Sequence, residues 1–576
     1  MKPKRLCLFL LLAAACITSC KKSVPNQTKY ISKNTVFVAA VNTKSLQSKL
    51  MKNQATIENI IRSASGSDTT INKGKQEWED LKNSGVDLDE NFYVAVASKG
   101  GGGLTSGTGS MVTSVIGALK DADKLEAYIK KKDPANEVRR EKNYSYLTIH
   151  ADNMIAWSKD VVIMMSYQKS FSPNNMQYDS ATGSFNLGTS PNVINEMKGE
   201  LEADFNLKED QSVAAIPEFR DLMQEKSDAS IWVNSSASME SLPLPLPKLK
   251  ELLSNSFTAA KVNFEDGQIT MDSKSYYSSE FRDILKKYPG TTADLSLVER
   301  YPSNNVNAFG VFSFNPQLIN ELVKYLEVGG IVDSYLTKMM GSNYTLQDAL
   351  KTIKGDFAVV VSDIATRSAS DSASAPAAAA LPNLKMIVNI PVGDKLQMNR
   401  LMDKLVQMEM LIKSGNQYTL TPNMQRMGYQ VLVDDKNIFV ASDENLLNQY
   451  KAQSGKANLN KEVMNDFKNK SGVAYVNIES ILNGMKGSVN VQGTNVLPKA
   501  KETFRDLELY INNFNGKYVE GHGALRFKNE KENSLTSLLS FIETVSKAVK
   551  RDPKTVKTMD ADDNTSVTPE PPLNAK

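Results

Sequence analysis

The chain contains few residues of the types that carry out nucleophilic or metal chemistry. It has two histidines, His150 and His522, and three cysteines in 576 residues. A histidine that acts as a general base needs an orienting partner and a nucleophile within reach. No Gly-x-Ser-x-Gly, His-Glu-x-x-His or Cys-x-x-Cys pattern accompanies either histidine. We therefore interpret both as surface or turn residues, and the sequence predicts no catalytic, cofactor-binding or metal-ligating residue.

Two short motifs resemble ion-binding loops but lack residues that such loops require. Gly100 to Gly103 would expose backbone N–H groups to a phosphate, yet no Gly-Lys-Ser/Thr follows them, which favours a mobile loop. The acidic segment 560–564 opens like a calcium loop, but Thr565 replaces the sixth-position glycine and Pro571 replaces the bidentate glutamate. A hydrolase that uses paired carboxylates stays open, because such a pair needs no local motif.

A methionine-rich segment has apolar residues at three- and four-residue steps along one helical face. These residues are Met398, Leu401, Leu405, Met408 and Ile412. Methionine fills irregular gaps well, so the pattern favours a helix packed against the core. The alternatives are a pliable apolar groove and a thioether copper(I) site.

The first twenty residues are typical of an export signal that ends in a lipid-attachment site. Basic residues at the start precede an apolar stretch of about twelve residues, shorter than the roughly 20 that a membrane-spanning helix needs. The stretch ends in Thr18-Ser19-Cys20, which resembles the lipobox of bacterial lipoproteins. In that motif the cysteine is joined to diacylglycerol and becomes the new N-terminus. We predict a signal peptide at 1–19, lipidation of Cys20 and a tether at 20–28.

The cysteine count and the charge agree with this interpretation. Cleavage removes Cys7 and Cys16, so Cys20 is left without a partner for a disulfide. The whole chain has 68 basic and 65 acidic residues, and loss of the three basic residues of the signal brings the mature balance to zero. A neutral chain argues against nucleic acid as a partner. The expected partner is the membrane, reached through the N-terminal lipid.

Ordered pairs of similar segments indicate an internal duplication. The pairs include Tyr30 with Tyr301, Asp123 with Asp394 and Asn234 with Asn477. Because the order is the same in both series, we predict two tandem lobes of similar fold. Their bounds are 29–290 and 300–548, and a disordered polar tail follows at 551–576.

Local signals within each lobe predict the fold class. Four apolar strands end in asparagine and pass into a helical pattern, at Asn42, Asn234, Asn315 and Asn477. Asparagine at this position caps the first free N–H groups of a helix. Asp266-Gly267 and Asn515-Gly516 separate alternating apolar runs, as hairpin turns do. We predict an α+β fold with mainly antiparallel sheets and helices packed on one face.

The segment from Lys29 to Leu46, directly after the lipobox, resembles the opening of a Bacteroidetes lipoprotein family known as a numbered domain of unknown function. The resemblance extends over about Lys29 to Val549. It implies a cell-envelope location and carries over no functional residue except the lipidated Cys20. Acidic residues after the acylated cysteine send some lipoproteins of this phylum to the cell surface. Here Lys21 and Lys22 follow, which favours the periplasmic face of the outer membrane, with the cell surface as the alternative.

Two functions from different classes follow from these observations. The first is a non-enzymatic binding or scaffold module whose two lobes present a shared groove to an unidentified envelope protein or ligand. The second is a carboxylate-dependent hydrolase that acts on an envelope polymer. The residues alone identify no ligand for either.

Three tripeptides resemble the Asp-Ser/Thr acceptor pattern for O-glycosylation in Bacteroidetes envelopes. Their acceptor residues are Thr69, Ser180 and Ser372. All three lie in polar segments that we assign to loops, where a bulky glycan is tolerated. Ser372 is the best candidate, because it lies in a loop of serine, alanine and proline.

Overall fold

The computed structural model describes residues 24–51, 76–99, 110–150, 152–169, 176–179, 184–187, 193–239, 247–341, 344–365, 383–425, 428–485, 490–491 and 494–550. Strands dominate the centre of the fold. In the first half they are β1 Phe37–Val41, β2 Phe92–Lys99, β3 Ser110–Ala118, β4 Arg139–Arg140, β5 Ser145–His150, β6 Asn153–Trp157, β7 Val161–Lys169, β8 Met176–Asp179, β9 Ser184–Leu187, β10 Ala229–Asn234, β11 Phe257–Glu265 and β12 Gln268–Tyr276. In the second half they are β13 Val306–Ser313, β14 Asp356–Ala365, β15 Asn383–Pro391, β16 Leu411–Ser414, β17 Gln417–Leu420, β18 Gln430–Val433, β19 Asn437–Ala441, β20 Gly472–Val476, β21 Asn490–Val491, β22 Thr494–Asn495, β23 Phe504–Ile511 and β24 Tyr518–Phe527.

Helices connect these strands. In chain order they are α1 Thr43–Met51, α2 Ala122–Lys132, α3 Val193–Phe205, α4 Pro217–Gln224, α5 Ser235–Met239, α6 Pro247–Leu253, α7 Ser279–Lys287, α8 Ser296–Glu299, α9 Pro316–Tyr325, α10 Gly329–Met340, α11 Leu346–Lys351, α12 Lys395–Gln407, α13 Pro422–Gln425, α14 Glu444–Lys451, α15 Lys461–Asp466, α16 Ile478–Gly484, α17 Leu497–Thr503 and α18 Ser534–Lys550. Short 3₁₀ turns lie at Asn26–Tyr30, Glu209–Gln211 and Val213–Ala215. The α+β class predicted from the sequence is confirmed.

Twenty strands form one antiparallel sheet that runs through both halves. Its spatial order in the first half is β4-β5-β6-β7-β3-β2-β1-β10-β11-β12. In the second half it is β16-β17-β18-β19-β15-β14-β13-β20-β23-β24. β12 pairs with β24 and joins the halves edge to edge. The two halves therefore repeat one strand order, which supports the predicted duplication; superposition of the halves remains its test.

The caps and the positions of the two turns that the sequence predicts are confirmed. All four strand-ending asparagines accept a hydrogen bond from the start of the following helix, at Ser45, Ala237, Gln317 and Ser480. Gly267 and Gly516 have the positive φ that their turns require. The loop at Asp266-Gly267 has the two residues expected of a tight hairpin, whereas the loop that contains Gly516 runs over 512–517 and is longer than predicted. One predicted correspondence shifts by two residues: the cap that matches Asp394 is Asp121, which accepts from the Lys124 N–H, and not Asp123.

The last helix of each half packs against the other half. α7 lies against α9 of the second half, and α18 lies against α1 of the first half. Tyr288 donates a hydrogen bond to Glu321 at 2.9 Å, and Asn533 donates to the Phe264 carbonyl at 2.8 Å. These reciprocal contacts add to the β12–β24 ladder in holding the halves together.

One face of the sheet carries the two main hydrophobic cores, and we call it the core face. Residues directly opposite each other in an antiparallel ladder share a face, so pairing and burial together assign it. In the first half Trp232 and Ala259 pack against Met197 of α3 and Phe219 of α4. In the second half Phe309 and Val360 pack under residues of α14 and α15, among them Tyr450 and Val463.

The opposite face of the six central strands carries an array that we call the apolar grid. Each of its three rows consists of directly opposed residues on β14, β13, β20, β23, β24 and β12. The rows are Val359, Gly310, Ala474, Leu509, Gly523 and Met271; Val361, Ala308, Val476, Leu507, Leu525 and Ile269; and Phe357, Phe312, Gly472, Ile511, Gly521 and Ser273.

Candidate functional site

The structure leaves the predicted modification sites untested. Cys20, Thr69, Ser180 and Ser372 lie outside the described residues, as do Gly100 to Gly103 and the acidic segment 560–564. None of the described helices has both the length and the apolar character that a membrane crossing requires.

The structure places His522 within a strand and not in a turn, and its side chain is partly exposed. His522 lies in the middle of β24, directly opposite Asp272 of β12. Its Nδ1 atom is 2.7 Å from Asp272 Oδ1, and its side chain is 22% exposed. The sequence does not indicate this pair, because 250 residues separate its two members. His150 is the last residue of β5.

His522 and Asp272 lie on the core face where the halves meet, in a cavity of about 310 Å³ that we call the central groove. It separates the hydrophobic cores of the two halves. Its lining residues are Glu218, Asp221, Leu222, Glu225, Ala259, Lys261, Asp272, Ser273, Lys274, Tyr276, Tyr510, Asn512, Glu520, Gly521 and His522. The first half supplies α4 and strands β11 and β12, and the second half supplies β23 and β24.

An aromatic side chain forms the second-half wall of the central groove. The ring of Tyr510 stacks on His522, with centroids 4.9 Å apart. Lys470 Nζ lies 4.0 Å from the Tyr510 ring centroid and donates to Asn512 Oδ1 at 3.0 Å. Asn512 in turn donates to Glu520 Oε2 at 3.1 Å. Each of these side chains is therefore held by a neighbour.

Glu225 organises the first-half wall. It forms salt bridges with Lys274 Nζ at 2.7 Å and with Lys261 Nζ at 3.3 Å. Burial opposes ionisation of Glu225, but the two lysines outweigh it and lower the pKa of this carboxyl. The hydrogen bond to Glu225 raises the pKa of Lys274 against the opposing effect of burial. Both partners are thus charged near neutral pH.

The central groove has more acidic than basic side chains. Five carboxylates, those of Glu218, Asp221, Glu225, Asp272 and Glu520, line it together with two lysines. Within the described part of the chain, Glu218 and Asp221 form no salt bridge and no side-chain hydrogen bond. α4 presents them because Phe219 and Leu222 on its other side are buried in the core. These two carboxylates are available to a ligand.

The groove does not combine the parts of a nucleophilic active site. His522 has an orienting carboxylate, but Ser273 lies on the opposite side of the strand and donates to the Gly521 carbonyl at 3.4 Å. A Cβ atom added to Gly521 would lie 2.7 Å from that hydroxyl, which places Ser273 away from the histidine ring. The described residues include no group of three or more His, Cys, Asp or Glu side chains suited to a metal ion.

The methionine-rich helix is largely a core element, as predicted. Met398 and Met402 of α12 are buried against Leu411, Tyr418 and Val433, and Leu401 and Leu405 pack beside them. Met408 and Ile412 depart from the predicted face, because α12 ends at Gln407 and both side chains are exposed.

Comparison with known proteins adds little. No protein-family model and no curated protein matches the chain. Crystal form III of TP0453 aligns at 8% identity over 46% of this chain and 86% of that chain, with a TM-score of 0.23. Crystal form I aligns at 9% identity over 44% and 80%, also with a TM-score of 0.23. Scores this low support no argument about fold or function.

Proposed function

We propose that the chain is an outer-membrane lipoprotein of the cell envelope and acts as a non-enzymatic binding module. The central groove is the observation that carries this proposal, because both halves contribute charged side chains to it. Its excess of carboxylates, and the free acids of α4 in particular, favour a ligand with amine or guanidinium groups.

The proposed cellular location depends on the N-terminal sequence. A diacylglycerol-modified Cys20 would anchor the chain, and Lys21-Lys22 favour the periplasmic face of the outer membrane over the cell surface. The first described element begins at Asn26, six residues after the cysteine. Six residues extend to about 20 Å at most, so the folded chain would stay near the membrane. Membership of the Bacteroidetes lipoprotein family, and O-glycosylation at Thr69, Ser180 or Ser372, belong to the same proposal.

The charge state of Glu225 argues against its use as the general acid of the alternative hydrolase function. A carboxyl group that acts as a general acid needs a raised pKa so that it holds a proton near neutral pH. The lysines of the groove move the pKa of Glu225 in the opposite direction. This carboxylate suits the binding of a cation better than proton donation.

Calorimetric titration tests the proposal with two peptide probes of opposite charge. We expect tetralysine to bind the full chain and tetraglutamate not to bind. Because the attraction is between charges near the surface, added salt should weaken binding. The double variant Glu218→Gln/Asp221→Asn should lose most of the affinity.

Glu502→Gln is the matched control, since Glu502 is an exposed acid outside the groove, with 73% of its side chain exposed. This variant should bind tetralysine as the unchanged chain does. Equal binding of both peptides, or equal affinity in the double variant and the control, would contradict the assignment of the groove.

A further inference from the structure

A second cavity, which we call the basic pocket, lies at the end of β10 in the first half. Its volume is about 300 Å³, at the small end of the range for small-molecule sites. Lys33 and Lys250 line it, and none of the described residues around it is Asp or Glu. It shares no lining residue with the central groove. The basic pocket is therefore a separate cavity with the opposite charge.

The two lysines of the basic pocket have no counter-ion. In the part of the chain that the structure describes, neither Lys33 nor Lys250 forms a salt bridge or a side-chain hydrogen bond. Lys33 is half-buried and Lys250 is exposed. Like charges that line one small cavity repel each other, and a bound anion would offset this repulsion. Both ammonium groups are thus available to a ligand.

Hydrogen bonds hold the backbone on both sides of the basic pocket. The Lys33 carbonyl accepts a hydrogen bond from Asn234 Nδ2 at 2.9 Å. On the other side, the Leu253 carbonyl accepts one from Ser236 Oγ at 2.7 Å, at the end of the helix α6 that carries Lys250. These bonds fix the segments that carry the two lysines, so binding requires little ordering of the backbone.

The basic pocket also has an apolar wall. Ile216, Leu253 and Phe257 line it, and all three side chains are partly exposed. The ring of Phe257 stacks on the buried Trp232, with centroids 4.8 Å apart, which holds the ring in place. Covering apolar side chains contributes free energy that a bare ion cannot supply. The pocket therefore suits a ligand that has an apolar part as well as a negative charge.

The second half has a cavity of the same volume in the corresponding place, but its arginine is paired with acids. This cavity lies at the end of β20, which has the position of β10 in the strand order, and Asn477 lines it as Asn234 lines the basic pocket. Arg505 in this cavity forms salt bridges with Asp506 at 3.2 Å and with Glu530. The lack of counter-ions is thus a property of the basic pocket and not of this place in the fold.

We propose that the basic pocket binds a small carboxylic acid with an apolar body. The carboxylate accepts charge-assisted hydrogen bonds from Lys33 and Lys250, and the apolar body covers Ile216, Leu253 and Phe257. A polyanion without an apolar body, such as tetraglutamate, gains only solvated contacts with the lysines, which contribute little. The proposal does not depend on the function of the central groove, because the two sites have no residue in common.

Calorimetric titration of the full chain with 3-phenylpropionate tests the proposal. We expect one molecule to bind per chain, and we expect acetate and the uncharged 3-phenylpropionamide to bind about tenfold more weakly or worse. Lys33→Gln/Lys250→Gln should lower the affinity for 3-phenylpropionate about tenfold, because two charge-assisted hydrogen bonds are lost. Lys33→Arg/Lys250→Arg keeps both charges and should retain binding.

The matched control is Lys468→Gln/Lys517→Gln, which removes two positive charges outside the basic pocket. Both lysines are exposed and form no salt bridge with any described residue. This variant should therefore bind 3-phenylpropionate as the unchanged chain does. Circular dichroism monitors the folding of each variant.

Four results would overturn the proposal. They are no binding of 3-phenylpropionate, equal binding of the acid and its amide, binding of inorganic phosphate as tight as that of the acid, and equal affinity in the glutamine variant of the pocket and the control. The comparison of acid, amide and phosphate uses the unchanged chain, so it decides the matter even if a variant does not fold.

Discussion

Asp228 provides a sensitive test of the packing in the first half, because it ties three segments together. Asp228 directly precedes β10. Its side chain is 3% exposed and forms an ion pair with Lys49 of α1. It also accepts hydrogen bonds from the Ser45 hydroxyl at 2.5 Å and from the Phe264 N–H at 2.6 Å. Replacement by alanine would leave all three donors without this acceptor.

The expected loss follows from these contacts. Removing one partner of a buried ion pair costs about 3 to 5 kcal/mol. Lys49 is 25% exposed and also donates to the Phe264 carbonyl at 2.8 Å, so water and this carbonyl partly compensate it. We therefore expect Asp228→Ala to lower the free energy of unfolding by about 3 kcal/mol, the lower end of that range.

The effect should depend on pH. Burial raises the pKa of Asp228, but Lys49, Ser45 and the Phe264 N–H outweigh it, so the folded-state pKa lies below the ordinary value. A depressed pKa contributes stability above the unfolded value of about 3.9 and loses it as the pH falls through the folded value. The difference between the unchanged chain and Asp228→Ala should be full at pH 7 and shrink below about pH 4.

Urea unfolding followed by tryptophan fluorescence measures this difference. All three tryptophans lie in the first half, and Trp232 of β10 stacks on Phe257 with centroids 4.8 Å apart. Asp283→Ala is the control, since 75% of the Asp283 side chain is exposed and its loss should cost about 0.5 kcal/mol or less. A loss below about 1 kcal/mol for Asp228→Ala, or a loss equally large at pH 3, would refute the reasoning.

Three further predictions follow. Arg526→Met should destabilise the chain by about 3 to 5 kcal/mol in the same urea assay, because Arg526 neutralises the buried Asp506 and Glu508. An unchanged free energy of unfolding would mean that these two ion pairs do not stabilise the fold. Asn477→Ala should cost about 1 kcal/mol through loss of the cap on α16, and Asn477→Asp should restore most of it. Cys20→Ala should abolish metabolic labelling by a fatty-acid analogue, and equal labelling of both proteins would exclude the lipid anchor.

Local signals predicted much of the fold. The asparagine caps and the Gly267 and Gly516 turns depend on neighbouring residues, so the chain alone specifies them. The shared order of segments predicts two lobes of similar fold, which superposition of the halves has still to test. The pairing of β12 with β24 could not be predicted, because the sequence of an edge strand does not indicate which distant strand pairs with it.

The central groove was missed for the same reason. Its residues come from segments near 220, 270 and 520, and none of these segments contains a motif. The available signal was the occurrence of ionisable side chains on alternate residues of a strand, as in Asp272 with Lys274 and Glu520 with His522. Alternating charges are also typical of an exposed strand face, so this signal identifies a site only once the two strands are known to be neighbours.

Hydrogen–deuterium exchange with and without tetralysine tests the central claim most directly, because it reports on both halves in one experiment. If the groove is a shared binding site, the probe should slow exchange in segments 217–225 and 518–522 together, and the double variant Glu218→Gln/Asp221→Asn should lose this protection. Protection confined to one half, or found only outside these segments, would contradict a shared groove.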